Sequence, residues 1–203
     1  MPGLSLSRFA VLSEHDPLKV VEVIKKLAEL RRKHPTARTV SIRMDHRTDI
    51  DFVEAVHGFA RWFAAGPGEP RTAHLVDELQ VLASFYADCF KTKLSFRELW
   101  KLAHPPRLRS MASGSSNLSP YRCKTSWKSK CGAEAGERFN AEAERHVATI
   151  DRLYRGLLGQ IADGLVGALS DALGDVINAY TRRKREAAAL DFDDLLLRAR
   201  MNL

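Results

Sequence analysis

Apolar and polar positions change their period several times along the first hundred residues. Arg8 to Leu12 (Arg-Phe-Ala-Val-Leu) is a short apolar run of the kind a buried strand shows. Asp16 before Pro17 offers an N-cap with proline at the first helical position. Leu18, Val21, Ile24, Leu27 and Leu30 then fall on one face of a helix reaching Lys33. His34-Pro35 ends it, because a residue before proline disfavours helical backbone. Thr39 to Met44 alternates and is rich in β-branched residues, which predicts a second strand. Thr48 to Asp51 resembles a capping box and opens a helix carrying Phe52, Val56, Phe59 and Phe63, stopped by Gly66-Pro67-Gly68-Glu69-Pro70. Ala73 to Val76, ending in Asp77-Glu78, reads as a third strand. Strand, helix, strand, helix, strand is the order of a short parallel sheet with flanking helices, so the N-terminal half is expected to be α/β.

Beyond Ser95 a short helix from Phe96 to Ala103 halts at Pro105-Pro106. The Ser/Gly-rich stretch that follows has the composition of a linker. From Glu134 the pattern stays helical for most of the remaining chain: Leu153, Leu157, Ile161, Leu165, Leu169, Leu173, Val176 and Tyr180 step by four with one step of three. Gly156, Gly159, Gly164, Gly167 and Gly174 interrupt that stripe, each costing up to about 1 kcal/mol against alanine in a helix interior. The expected organisation is an α/β region over 1–104, a basic linker over 105–133 and an all-α half of long helices over 134–203.

Charge sharpens this picture. The 203 residues carry a net charge of +7, from 32 Lys and Arg against 25 Asp and Glu. From Leu99 to Ala133 there is no carboxylate, yet Lys101, Arg107, Arg109, Arg122, Lys124, Lys128 and Lys130 lie there, so the whole excess sits in one segment. Concentrated positive charge suits a polyanion, because each neutralised phosphate releases condensed counterions. A solvated linker without a partner has the same composition. Arg182, Arg183, Lys184 and Arg185 form a second basic cluster where a helix C-terminus is expected, and the helix dipole favours cations there with or without a ligand. Cys89, Cys123 and Cys131 have no zinc-ligand spacing and read as reduced thiols. No run approaches the roughly 18 apolar residues of a membrane span, and the first residues lack a signal-peptide pattern, so a soluble, cytoplasmic protein is expected.

Two resemblances suggest an origin. Leu190-Asp191-Phe192-Asp193-Asp194-Leu195-Leu196-Leu197-Arg198-Ala199-Arg200, with Tyr180 to Arg185 before it, resembles superfamily 1 DNA helicases of the UvrD type, and most closely AddA-type helicase–nuclease subunits, over about 134–203. In that family a helical subdomain inserted in the first motor domain returns to the core through such a stretch. By their own chemistry Asp191 can cap a helix, while Asp193 and Asp194 place negative charge in its first turn. Residues 1–112 resemble, more distantly, motor ATPases of the FtsK/HerA or phage-packaging type. That resemblance makes Leu75-Val76-Asp77-Glu78 a Walker B element, with Asp77 on the magnesium side and Glu78 activating water. ATP and magnesium are thereby implied for a complete parent enzyme. No G-x-x-x-x-G-K-[ST] loop occurs, so the chain is expected to bind neither cofactor by itself and not to turn over alone.

The sequence therefore points to a helicase- or motor-derived protein whose contribution is DNA binding in unwinding or repair, partnered by DNA and by a helicase–nuclease or motor subunit, with no membrane. The alternative from another class is a non-catalytic interaction module that offers the leucine stripe of the long helix to a protein partner.

Overall fold

The structure, a computed structural model, describes residues 47–90, 94–111 and 118–187, together with Glu22, Lys26, Glu29 and Asp45. Among them are five helices, named here α1 (Arg47–Ala64), α2 (Pro70–Tyr86), α3 (Phe96–Leu102), α4 (Lys124–Cys131) and α5 (Ala133–Glu186). The chain divides into two compact units, one of residues 42–165 and one of residues 1–41 with 166–203. In the second unit Glu22, Lys26 and Glu29 are helical, and Lys26 Nζ lies 2.9 Å from Glu22 one turn away. The strands expected at Arg8–Leu12 and Thr39–Met44, and the acidic cap Asp191, Asp193 and Asp194, lie outside the described residues.

The expected α/β half is corrected by the first unit, which has no strand among the described residues. Its β pairing is a single antiparallel bridge between Met111 and Leu118. Ala73 to Val76, read as a strand, lies in the second turn of α2. The reason lies just upstream. Glu69 is an N-cap with extended backbone (φ −121°, ψ 124°), its carboxylate accepts from the Arg71 and Thr72 N–H groups, and Pro70 occupies the first helical position. A proline there surrenders an N–H that has no helical partner, and its fixed φ suits the helix. Thr72, Val76, Leu79, Ala83 and Tyr86 are then buried at steps of three and four. Gly68, with φ +67°, makes the turn into this cap in the left-handed region that glycine adopts without strain.

α1 buries Phe52, Val56 and Phe59 against α2 and α5. Its start is tied to α5 by Gln160, whose Oε1 accepts from Asp45 N at 2.9 Å and whose Nε2 donates to Thr48 Oγ1 at 2.6 Å. α3 begins with a capping box in which Ser95 and Glu98 satisfy each other's backbone N–H. Tyr86 closes the end of α2 by donating its OH to Leu102 O at 2.9 Å. Along α5 the residues Ala143, Val147, Ile150, Tyr154, Leu157 and Ile161 are buried in one continuous core with α1 and α2. Leu157 and Ile161 of the expected leucine stripe are thus spent inside this unit.

The segment expected to be a linker also contributes to that core. Leu108, Met111 and Leu118 are buried in it, and Trp127 of α4 is fully buried. Trp127 stacks on Phe139 of α5 with ring centroids 5.3 Å apart and meets Trp62 and Phe63 of α1 edge-on at 6.2 and 6.4 Å. This closeness depends on Gly136. A Cβ there would lie 2.6 Å from the Lys128 Cα and N atoms and 2.7 Å from the Trp127 carbonyl carbon, all backbone. Gly136→Ala is therefore expected to destabilise the protein by about 1–3 kcal/mol through forced backbone displacement. Helix propensity alone predicts the opposite sign, a gain of up to about 1 kcal/mol. Urea unfolding of the variant decides between them, and a stabilised variant would mean that α4 is not seated on α5.

Candidate nucleic-acid interface

Two carboxylates of α2 hold the carboxylate-free segment in place. Glu78 accepts from Arg109 N at 3.0 Å through Oε1 and from Ser110 N at 2.9 Å through Oε2. Burial alone would raise the Glu78 carboxyl, but the bonds from Ser110 and Arg109 and the Arg109 charge outweigh it and hold the group below its usual range. Two turns earlier Glu69, only 1% exposed, accepts from Arg71 N at 3.1 Å, from Thr72 N and Oγ1 at 2.7 Å each, and from Ser126 Oγ. Here too burial pushes the carboxyl up, and the four donors more than reverse it.

A polarised chain of hydrogen bonds extends from that carboxylate into α4. With Thr72 Oγ1 donating to Glu69, Tyr121 OH donates to Thr72 Oγ1 at 2.6 Å, and Trp127 Nε1 donates to Tyr121 OH at 2.7 Å. Burial raises the Tyr121 hydroxyl well above its usual pKa, so it stays a donor. Burial and the Glu69 charge likewise raise the neighbouring Cys123, which remains a thiol, while burial and Asp49 push Cys89 up to about 12. The described part of the acid-free stretch is thus clamped by its backbone and its apolar and hydroxyl side chains, while its cations are exposed except Lys128, which is half-buried.

The cations fall into separate places. Arg122 and Lys124 line one cleft of about 630 Å3 with Thr125, and Glu137, Asn140 and Glu144 of α5 form its other wall. Lys124 and Lys128 both reach Glu137, at 3.1 and 2.8 Å, so the three carry one net positive charge. Those two lysines in turn hold the Glu137 carboxyl below its usual range. Arg71 at the start of α2 is exposed and close enough for its charge to act on the Cys123 thiol. Lys130 is exposed two residues beyond Lys128, about 200° further around α4 and off the cleft side. Arg107 and Arg109 are exposed at the far end of the segment beside Glu78. Arg182 and Arg183 are exposed in the last turns of α5, where Arg182 Nε lies 3.9 Å from Glu186, and they belong to the other unit, as does the helical backbone of Lys184 and Arg185.

The Walker B reading fails on geometry. Asp77 is exposed in the middle of α2, and both Glu78 oxygens are engaged by backbone N–H groups. A strand end that aims two carboxylates at magnesium and water is not formed at these residues, so the pair does not fit a magnesium nucleotide. Among the described residues no group of three or more His, Cys, Asp or Glu side chains could hold a metal ion.

Sequence reasoning missed Glu69, Thr72, Tyr121, Ser126 and Trp127, the residues that position the cleft. Glu69-Pro70 was readable as a cap by the logic that applies to Asp16-Pro17. A second cleft of about 280 Å3 lies between α1 and α5, lined in part by Glu142, Arg145 and His146. His146 stacks on Phe59 at 5.3 Å and meets Trp62 at a tilt at 5.4 Å, and its burial lowers its pKa. No described helix is long and apolar enough to cross a membrane. No protein family, curated protein or solved structure matches this chain.

Proposed function

We propose that the protein is a non-catalytic nucleic-acid-binding protein whose contact surface is centred on Arg122, Lys124 and Lys128. The observation that carries this reading is that Arg122 and Lys124 line one cleft edge, Lys124 shares Glu137 with Lys128, and the three cations outnumber the two carboxylates there, Glu137 and Glu144. The clamp on Glu69 fixes α4 before any ligand arrives, so little ordering cost remains for binding. Fixed positive charge of this kind attracts phosphates through counterion release, independently of sequence. Nucleotide hydrolysis is left out of the proposal because Asp77 and Glu78 do not form its machinery. The origin in a DNA helicase or motor, and work beside such a subunit in DNA unwinding or repair, stay within this proposal on the residues quoted above. The three free cysteines suit the reducing cytoplasm.

Charge removal tests it. Arg122→Ala combined with Lys124→Ala is expected to weaken DNA binding across all sequences. Each lost phosphate contact should also flatten the salt dependence by about 0.7–0.9 in log–log slope. Arg155→Ala, which removes a guanidinium 2.7 Å from Asp151, is the control and should leave affinity unchanged. Fluorescence anisotropy with labelled DNA measures both. Equal losses in the double variant and the control would show that only overall charge matters, and that the cleft is not the contact surface.

A further inference from the structure

Two lysines one turn apart on α4 share a single atom of α5. Lys124 Nζ lies 3.1 Å and Lys128 Nζ 2.8 Å from the same oxygen, Glu137 Oε1. Residues four apart lie on one helix face, which lets both ammonium groups converge on one anion. The pair is seated on the core rather than on a free helix. Gly136, the residue before Glu137, packs so closely on α4 that a Cβ there would lie 2.6 Å from Lys128 Cα. Arg122 stands on the same cleft edge as Lys124, and Glu144, the other carboxylate lining the cleft, is about two turns of α5 beyond Glu137. Glu137 is exposed, so its carboxylate can swing into water and leave the two ammonium groups to another anion. Ion pairs at such a surface are individually weak.

Charge limits what can replace Glu137. The carboxylate is tethered beside the lysines, at an effective concentration far above that of a free ligand. An internal phosphodiester carries one negative charge, as the carboxylate does, and gains nothing by exchanging with it. Such a group meets the lysines and Glu137 together, drawn by their net positive charge. A phosphomonoester carries about −1.5 to −2 at neutral pH and offers three acceptor oxygens, so it replaces the carboxylate with a net gain of attraction. We infer that Lys124 and Lys128 form a receptor for the terminal phosphate of a nucleic-acid strand, with Glu137 holding that place until the strand end arrives. Arg122 then meets the next phosphate along the same strand. This inference rests on the nucleic-acid reading of the same cleft.

The test uses internally labelled single strands of one sequence. Their ends carry a hydroxyl, a phosphate, or a methyl phosphate, which has the bulk of the phosphate but a single charge. The phosphate is placed at the 5′ end of one strand and at the 3′ end of another. By anisotropy the native protein is expected to bind at least one phosphate-ended strand about fivefold tighter than the hydroxyl-ended strand, with the methyl phosphate close to the hydroxyl. Lys128→Gln, which keeps most of the stem and removes the charge, should abolish that preference. Lys124→Gln should do the same and serves if the first variant does not fold. Glu137→Gln should tighten the binding of every strand, because the tethered competitor is gone. Equal binding of hydroxyl- and phosphate-ended strands, or a preference that survives both lysine variants, overturns the terminal-phosphate site and leaves the phosphate contact standing. A Glu137→Gln variant that binds no tighter overturns the displacement of Glu137. A phosphoserine peptide that competes as well as an unlabelled phosphate-ended strand overturns nucleic acid as the occupant. Failure of every strand to bind at low salt overturns both readings.

Discussion

Replacing Trp127 with alanine is expected to cost about 3–5 kcal/mol of folding stability, the range for emptying a fully buried aromatic site. The indole is 0% exposed and is the largest side chain in the interior. It contributes a stacked contact to Phe139, edge contacts to Trp62 and Phe63, and the N–H that terminates the chain to Glu69. Aromatic pairs of this geometry add about 0.5–1.5 kcal/mol beyond their buried area. Trp127→Phe separates the terms, because it keeps most of the ring contact and loses only the donor, and should cost about 1 kcal/mol from the Tyr121 bond plus a partial cavity. Chemical denaturation of both variants measures the difference. A loss below about 1 kcal/mol for Trp127→Ala would mean that α4 hangs free of the core, and the fixed cleft would fall with it.

Glu69→Ala should be comparably damaging. The carboxylate caps α2, a contribution of about 0.5–2 kcal/mol, and its removal takes the acceptor from the buried Thr72 hydroxyl and the half-buried Ser126 hydroxyl. Hydrogen bonds to a charged acceptor contribute about 1.5–3 kcal/mol each, so a total near 3 kcal/mol or more is expected. The effect also has a pH signature. Because the folded-state pKa of Glu69 lies below its value in the unfolded chain, its contribution is fully present above the unfolded value and is lost as pH falls through the folded one. Glu78, Glu98 and Glu137 are lowered in the same direction, so native stability should decline on acidification for several reasons at once. The informative quantity is the gap between the native protein and Glu69→Gln, measured as Tm. It should be widest at neutral pH and narrow below the ordinary glutamate pKa of about 4.3. A gap that stays constant across that range would show that Glu69 is not ionised in the fold.

Helical period made much of this fold legible in the sequence. α1, α3 and the long helix α5 follow from apolar residues at steps of three and four, and α3 is bounded by Ser95 and the proline pair as expected. α2 was hidden because four residues, Ala73 to Val76, suit a strand as well as a helix turn. The deciding residue, Glu69, stands before a proline that also reads as a stop. The segment from Arg107 to Cys131 was obscured by its composition. Leu108, Met111, Leu118 and Trp127 are too widely spaced to show a period, and they are held by bonds to Glu78 and Glu69 that connect residues distant in sequence. The basic residues were found by counting charge. Their sorting into cleft, far end and other unit was not, because it depends on where Glu137 and α4 come together. Asn140 carried no signal at all, since a buried polar residue is recognised only once its surroundings are known.

The proposed function predicts a definite salt response, and measuring it tests the account most directly. The observed association constant for single-stranded DNA should be followed by anisotropy from about 50 to 200 mM salt, the range over which counterion release is large. With Arg71, Arg122 and the net charge of the Lys124–Lys128–Glu137 group contacting phosphates, a log–log slope of about −2 is expected, at roughly −0.7 for each phosphate neutralised. Absence of binding at the lowest salt, or binding whose slope is indistinguishable from zero, would contradict a phosphate-contacting surface on this protein.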